Sequence, residues 1–233
     1  MEQFRLLAAI FVFAFGTLGS TDCICTDLCC NDVKGKAAKI ENRTRANVLR
    51  SAKRWLGVRE LTGYNDHPMI TKSMQLCGLT GNKGYPWCAS SHSEIFAYAG
   101  LNTTVSARVM SWFKANVIWE RKWGTGIPKR YVRAGMSVGF YYNKLNRYGH
   151  IGLAVYKTGK YIYLYEGNTS AKGQFDPETF ENVEEIGTGV NRDGDGFYPK
   201  VRQWQSIDVI ADKCLQGKRF IERYDEYLQK VKK

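Results

Sequence analysis

The apolar pattern changes character part-way along the chain, and that change limits the fold more than any other feature. Up to Lys114, apolar residues recur three or four positions apart in stretches closed by glycine. Val48, Leu49, Ala52, Trp55 and Leu56 share one face of a helix over Lys36–Leu56, which Gly57 ends. Pro68–Cys77 opens with proline, whose fixed φ suits a first helical turn, and stops at Gly78. Cys88–Ala99 and Thr104–Lys114 complete the helices, and the glycine-rich Leu79–Trp87 is a loop. From Met136 the apolar residues come instead in short aromatic and β-branched runs between turn residues, which predicts strands over Met136–Tyr142, His150–Tyr156, Tyr161–Glu166 and Phe197–Gln205. The polar Thr169–Gly196 reads as a surface loop, and Phe220, Tyr224, Leu228 and Val231 mark one face of a C-terminal helix. Helices first and antiparallel strands second predict an α+β fold, with helices packed on a small sheet.

The length, 233 residues, suits one domain over residues 36–233. Leu6–Leu18 is an apolar run of signal-peptide length, too short for a comfortable membrane span. Residues 1–20 are therefore expected to be a signal peptide, or else a signal anchor, making a secreted or periplasmic monomer that touches a membrane only through this segment. Residues 21–35 form a Cys-rich tether. The C-x-C-x3-C-C spacing of Cys23, Cys25, Cys29 and Cys30 lacks the C-x-x-C pairs of common zinc sites and suits a disulfide knot. Seven cysteines leave at least one free thiol in an exported chain, and Cys214 can pair with Cys77 or with the cluster. Losing residues 1–20 removes one basic and one acidic residue, so the net charge stays at +12. Such a cation is drawn to polyanions, the anionic polymers of a bacterial envelope among them. The chain carries no motif that reads nucleic acid, so no nucleic-acid partner is expected.

Three segments carry chemistry. In Gly84-Tyr85-Pro86-Trp87-Cys88-Ala89-Ser90 the cysteine stands where a loop becomes a helix, and the unpaired N–H groups and positive dipole end of a helix start favour the nucleophilic thiolate. A buried structural cysteine is the plain alternative. Pro86 and Trp87 suit a rigid rim, and Tyr85 and Trp87 are the candidate substrate contacts. In Tyr148-Gly149-His150-Ile151-Gly152 a histidine opens an apolar strand, rigid and yet near the surface, as a general base must be. In Tyr163-Leu164-Tyr165-Glu166-Gly167-Asn168 two polar residues lie two apart. A three-residue hairpin loop at Lys157-Thr158-Gly159 would pair Tyr156 with Lys160 and so set Glu166 opposite His150. Directly opposed residues have Cβ atoms about 4.5–5.5 Å apart, close enough for a carboxylate to orient an imidazole. One bulge would substitute Asn168.

The order of helix-start cysteine, strand-start histidine and next-strand Glu/Asn resembles the CHAP branch of the papain-like peptidoglycan hydrolases, related to the NlpC-type peptidases. The residues that carry it are YPWCASSHSEIFAYAGL around Cys88, GHIGLAVY around His150 and YEGN at Glu166–Asn168, and the likeness spans roughly Leu49–Trp204. Glu60–His67 also resembles the stretch leading into the family's cleft. The resemblance implies Cys88 as nucleophile, His150 as general base, Glu166 as its orienter and Asn168 as a second polar member. It implies acyl transfer with peptidoglycan as substrate, cut at a stem-peptide bond or at the N-acetylmuramoyl-L-alanine amide, without metal or cofactor. The Cys88 N–H is a natural oxyanion donor, with Tyr85 as candidate for the second. The length of Thr169–Gly196 and the Cys-rich head depart from the family pattern. A non-catalytic envelope-binding protein of the same fold, or a cysteine protease or acyltransferase on other amides, fits the same residues.

Other signals fit plainer roles. His92 lies one helical turn from Cys88 and reads as support rather than as an alternative base or metal ligand. His67 reads as a surface histidine. Asn191–Gly196 resembles half of a calcium loop, but its twelfth position is Arg202, where a bidentate glutamate is needed. Arg121, Lys122, Lys129, Arg130 and Arg133 form a local basic cluster, either a solvated loop or a contact for wall polymers.

Overall fold

The computed structural model describes residues 36–80, 84–182 and 194–231. The expected signal segment, the Cys-rich tether and residues 191–193 of the candidate calcium loop lie outside the described residues. The helices are α1 (Lys36–Lys53), α2 (Pro68–Leu76), α3 (Cys88–Tyr98), the single turn α4 (Val109–Trp112) and α5 (Gly217–Val231). The strands are β1 (Val117–Glu120), β2 (Ser137–Tyr142), β3 (Arg147–Lys157), β4 (Tyr161–Thr169), β5 (Gly196–Gln203) and β6 (Val209–Ala211). They form one antiparallel sheet in the order β1-β6-β2-β3-β4-β5. The fold is α+β. Among the described residues, no helix is long and apolar enough to cross a membrane.

Two apolar clusters hold the layers together. Val48, Ala52 and Trp55 of α1, Ile70 and Met74 of α2, and Ala89, Ile95 and Phe96 of α3 pack with Ile151, Leu153, Tyr165 and Phe197 of the sheet. Ala154, Ile162, Leu164, Val138 and Phe140 pack instead with Trp204, Ile207 and Tyr224, the last from α5. Successive residues of β3 and β4 thus enter different clusters, as strand periodicity requires. Burial on both sides explains why these strands read as continuous apolar runs rather than as alternating ones.

A buried polar network fastens α5 and α1 to the sheet. Arg45, fully buried on α1, donates to Glu41 Oε1 at 3.0 Å, to the Ala134 carbonyl at 3.0 Å and to Asp212 Oδ2 at 2.5 Å. The Tyr224 hydroxyl donates to the same Asp212 oxygen at 2.7 Å. Cys214 sits beside this network as a free thiol, and burial pushes its pKa up to about 12. Cys77 is also free, so these two cysteines are not bonded to each other.

Four elements differ from the sequence reading. The expected helix over Thr104–Lys114 shrinks to one turn. Ser106 exchanges hydrogen bonds with the Ser93 hydroxyl (3.0 and 3.1 Å), which holds the preceding backbone against α3. The sheet gains β1 and β6, of four and three residues, whose ladder partners come from distant parts of the chain. Within Thr169–Gly196 the described part is not wholly surface. Phe175 is buried and stacks on Tyr165 at a centroid distance of 6.1 Å, and Gln174 bridges to Lys200.

Arg45→Ala would leave Asp212 buried with its cation gone, which costs about 3–5 kcal/mol. In a chain of this size that is roughly a 10 °C fall in Tm by calorimetry or circular dichroism. A fall of less than about 2 °C would show the network to be dispensable.

Candidate active site

The loop that delivers Cys88 is held at three points. Asn168 Oδ1 accepts the Trp87 backbone N–H at 2.8 Å. Trp87 Nε1 donates to Glu60 Oε1 at 2.7 Å. Asn65, in the left-handed region at φ 60°, donates from Nδ2 to the Tyr85 carbonyl at 2.8 Å. The stretch Glu60–His67 therefore braces the approach to α3, and His67 caps α2 by accepting the Met69 N–H at 3.2 Å. Trp87 is fully buried and stacks on Trp55 at 6.1 Å, so its ring is a strut of the core and not the substrate contact expected from sequence. Tyr85 keeps 40% of its surface exposed.

Cys88 is the first residue of α3 and only 2% exposed. Its N–H is one of the orphan donors of a helix start. The small residues Ala89-Ser90-Ser91 let α3 approach β4 closely. A Cβ on Gly167 would come within 2.6 Å of the Ser91 hydroxyl and 2.8 Å of the Trp87 ring.

His150 does not open a strand as expected: β3 begins three residues earlier, at Arg147, and His150 lies inside the β2–β3 ladder, fully buried, its ring 5.5 Å from that of Phe140. Its Nε2 donates to Glu166 Oε2 at 2.9 Å. The register that brings them together is not the expected one. The turn does not pair Tyr156 with Lys160: Lys157 pairs with Ile162 and Tyr156 with Tyr163, and an irregularity between Ala154 and Tyr156 takes back one position, so that Glu166 stands opposite Gly152, two residues beyond His150. Glu166 reaches His150 on the diagonal, and a Cβ at position 152 would lie 2.9 Å from Glu166 Cγ. Only glycine leaves the carboxylate that path. Asn168, at φ 56°, spends its side-chain oxygen on Trp87 and donates from Nδ2 to the Gly194 carbonyl at 3.3 Å.

Sequence reading missed Arg202. From β5 its guanidinium grips Glu166 in two places, Nε to Oε1 at 2.9 Å and Nη2 to Oε2 at 2.6 Å. Burial alone would raise the Glu166 pKa, but Arg202 and His150 outweigh it and hold the carboxyl well below the usual carboxylate range. Burial would likewise lower the pKa of His150. Attraction to Cys88 and Glu166 wins, raising it from 6.5 to about 9. With Nε2 on Glu166, Nδ1 is the nitrogen left for Cys88. The thiol influences the ring, but its contact does not meet hydrogen-bond geometry, and Nδ1 has no hydrogen-bond partner among the described residues. The arrangement is a buried Arg–Glu–His relay behind a cysteine, able to carry a positive charge on the imidazole at neutral pH.

His92 is distinct from this relay. Its Nε2 lies 2.9 Å from the Ser137 hydroxyl, its ring meets Trp112 edge-on at 4.6 Å, and burial, with Lys213 and His150, lowers its pKa to about 3. It is neutral and braced. Among the described residues no three His, Cys, Asp or Glu side chains are grouped to hold a metal ion.

Cys88 opens onto a cleft of about 370 Å³ lined by Pro86, Arg108, Met110, Lys114, Arg147 and Tyr148, among others. A neighbouring hollow of about 710 Å³ shares Met110, Arg147 and Tyr148 with it. The sequence-level basic cluster is largely satisfied within the fold. Arg121 pairs with Asp208 at 2.6 Å, Lys122 with Glu120 at 2.9 Å, and Lys129 donates to the Gly159 carbonyl at 2.8 Å.

Because the folded pKa of His150 lies above its unfolded value, its contribution to stability is complete below about pH 6.5 and is lost as pH rises through about 9. Glu166 works in the opposite sense, its contribution being lost as pH falls through its depressed value. Denaturant titrations between pH 6.5 and 9 should show a declining stability that His150→Gln flattens. An unchanged slope in that variant would remove the charge from His150.

Comparison of the chain with protein-family models, with curated proteins and with solved structures finds no match.

Proposed function

We propose that this chain is a cysteine hydrolase of papain-like, CHAP- or NlpC-related fold that cuts amide bonds in bacterial peptidoglycan. The observation that carries the reading is the placement of Cys88 at a helix start on a cleft, with His150 behind it and Glu166 on the far ring nitrogen.

In the proposed reaction Cys88 sulfur attacks the amide carbonyl carbon as thiolate. A C–S bond forms, and the carbonyl oxygen takes the negative charge facing the Cys88 N–H. His150, charged at the outset, gives its Nδ1 proton to the leaving nitrogen as the C–N bond breaks. The thioester remains. His150, now neutral, takes a proton from water, the hydroxide adds to the thioester, and the acid product leaves as the thiolate and imidazolium are restored. Glu166 keeps its proton-accepting face on Nε2 throughout, fixing which nitrogen works. Arg202 holds Glu166 in place and shares its charge. Tyr85 is the candidate side chain at the mouth.

The reading extends to place. A cleavable segment at residues 1–20 would deliver a +12 protein to the envelope, where anionic polymers concentrate it near its substrate. A stem-peptide endopeptidase and an N-acetylmuramoyl-L-alanine amidase use the same machinery.

Purified peptidoglycan incubated with the protein should yield new amino and carboxyl termini by mass spectrometry, and Cys88→Ala should yield none. Absence of new termini with the unaltered chain sinks the hydrolase reading, and release that survives Cys88→Ala sinks the nucleophile. Gly152→Ala, which crowds Glu166, should lower kcat about tenfold to a hundredfold with KM little changed. Activity within twofold of the parent would take Glu166 out of the mechanism.

A further inference from the structure

Three cations line the Cys88 cleft without counter-charges. Arg108, Lys114 and Arg147 are exposed, and none has an ion-pair partner among the described residues. Among the described residues, no aspartate or glutamate lines this cleft. The neighbouring hollow differs, since its Arg121 and Lys122 are each matched by a carboxylate, Asp208 and Glu120. Like charges gathered around one concavity repel, and its walls focus their field onto whatever enters. Such a set is stabilised when an anion arrives, and arginine is suited to hold a carboxylate by two parallel hydrogen bonds. The volume, about 370 Å³, matches about a dozen water molecules, room for a few residues of peptide and not for a folded partner.

We infer that Arg108, Lys114 and Arg147 form a subsite for a free carboxylate carried by the peptide near its scissile amide. This rests on the amide-hydrolase reading for the cut itself, but the binding claim stands apart from it. The subsite selects acidic peptides whose carboxylates are free over those in which they are amidated. Tyr148 and Met110, shared with the neighbouring hollow, continue the surface beyond it.

The test uses the full chain with Cys88→Ser and one stem tetrapeptide in two forms, carboxylates free or converted to carboxamides. By isothermal titration at low salt the acid form should bind at least about tenfold more tightly. Replacing Arg108, Lys114 and Arg147 together by Gln should abolish the preference, whereas Lys144→Gln, an exposed cation outside the cleft, should keep it. A matching Tm confirms that the triple variant folds. Equal binding of both forms, binding of neither, or a preference surviving the triple variant overturns the inference. So does binding of a glycerol-phosphate oligomer at this subsite with no preference between the peptides, which would make it a wall-polymer site. Turnover by the unaltered chain separates the two claims. Cleavage of both forms at equal kcat/KM leaves the hydrolase reading standing and removes the subsite. A binding preference without cleavage of either form does the reverse.

Discussion

The chain of charge from Arg202 through Glu166 to His150 is the interaction on which the remainder of the site depends. A carboxylate with no exposed surface costs several kcal/mol to desolvate unless it is paired and hydrogen-bonded on both oxygens. Arg202 supplies that pairing with two contacts, and His150 takes the remaining direction. The same geometry that offsets the burial also decides the ring's orientation. In the proposed mechanism stability and chemistry therefore share one set of atoms, and the register of the β3–β4–β5 ladders serves both.

Much of this was legible in sequence, but not for the reason first apparent. The helix-start cysteine follows from a proline-bearing loop, and the strand that carries His150 from its apolar run, although that strand begins three residues before the histidine. Glu166 was located through a regular hairpin register that the protein does not use. The turn pairs Lys157 with Ile162 and carries Glu166 past His150, the irregularity at Ala154–Tyr156 takes back one position, and the diagonal reach past Gly152 restores the contact. A bulge leaves no mark on hydrophobic periodicity, whereas a glycine inside a strand does hint at a close approach. Arg202 was out of reach because Lys200 and Arg202 alternate with Phe197, Pro199 and Val201, a pattern that reads as a solvent face. Trp87 misled in the other direction. An aromatic residue beside a nucleophile suggests a substrate contact, but its indole N–H is bonded to Glu60, a partner 27 positions away that no local pattern announces. The short strands β1 and β6 are set by tertiary pairing and carry too few residues to show a period.

Positive charge is distributed in the same selective way. The net charge of +12 says that the molecule favours anions, not where. In the fold, the cations dense in sequence around Arg121–Arg133 find carboxylates and carbonyls. Those scattered at positions 108, 114 and 147 converge on the cleft unmatched. Linear clustering is a poor guide to field, since a loop rich in basic residues can be neutralised by distant strands.

Glu166, Gly167 and Asn168 each hold something different: the imidazole, the flank of α3, and the backbone that presents Cys88. Three consecutive residues thus act as one indexing key cut into a single strand. Sliding that strand by one residue turns every side chain to its opposite face and withdraws all three grips together. A register error is therefore all-or-none for these three grips, whereas a change at a single neighbour such as Gly152 disturbs only one of them.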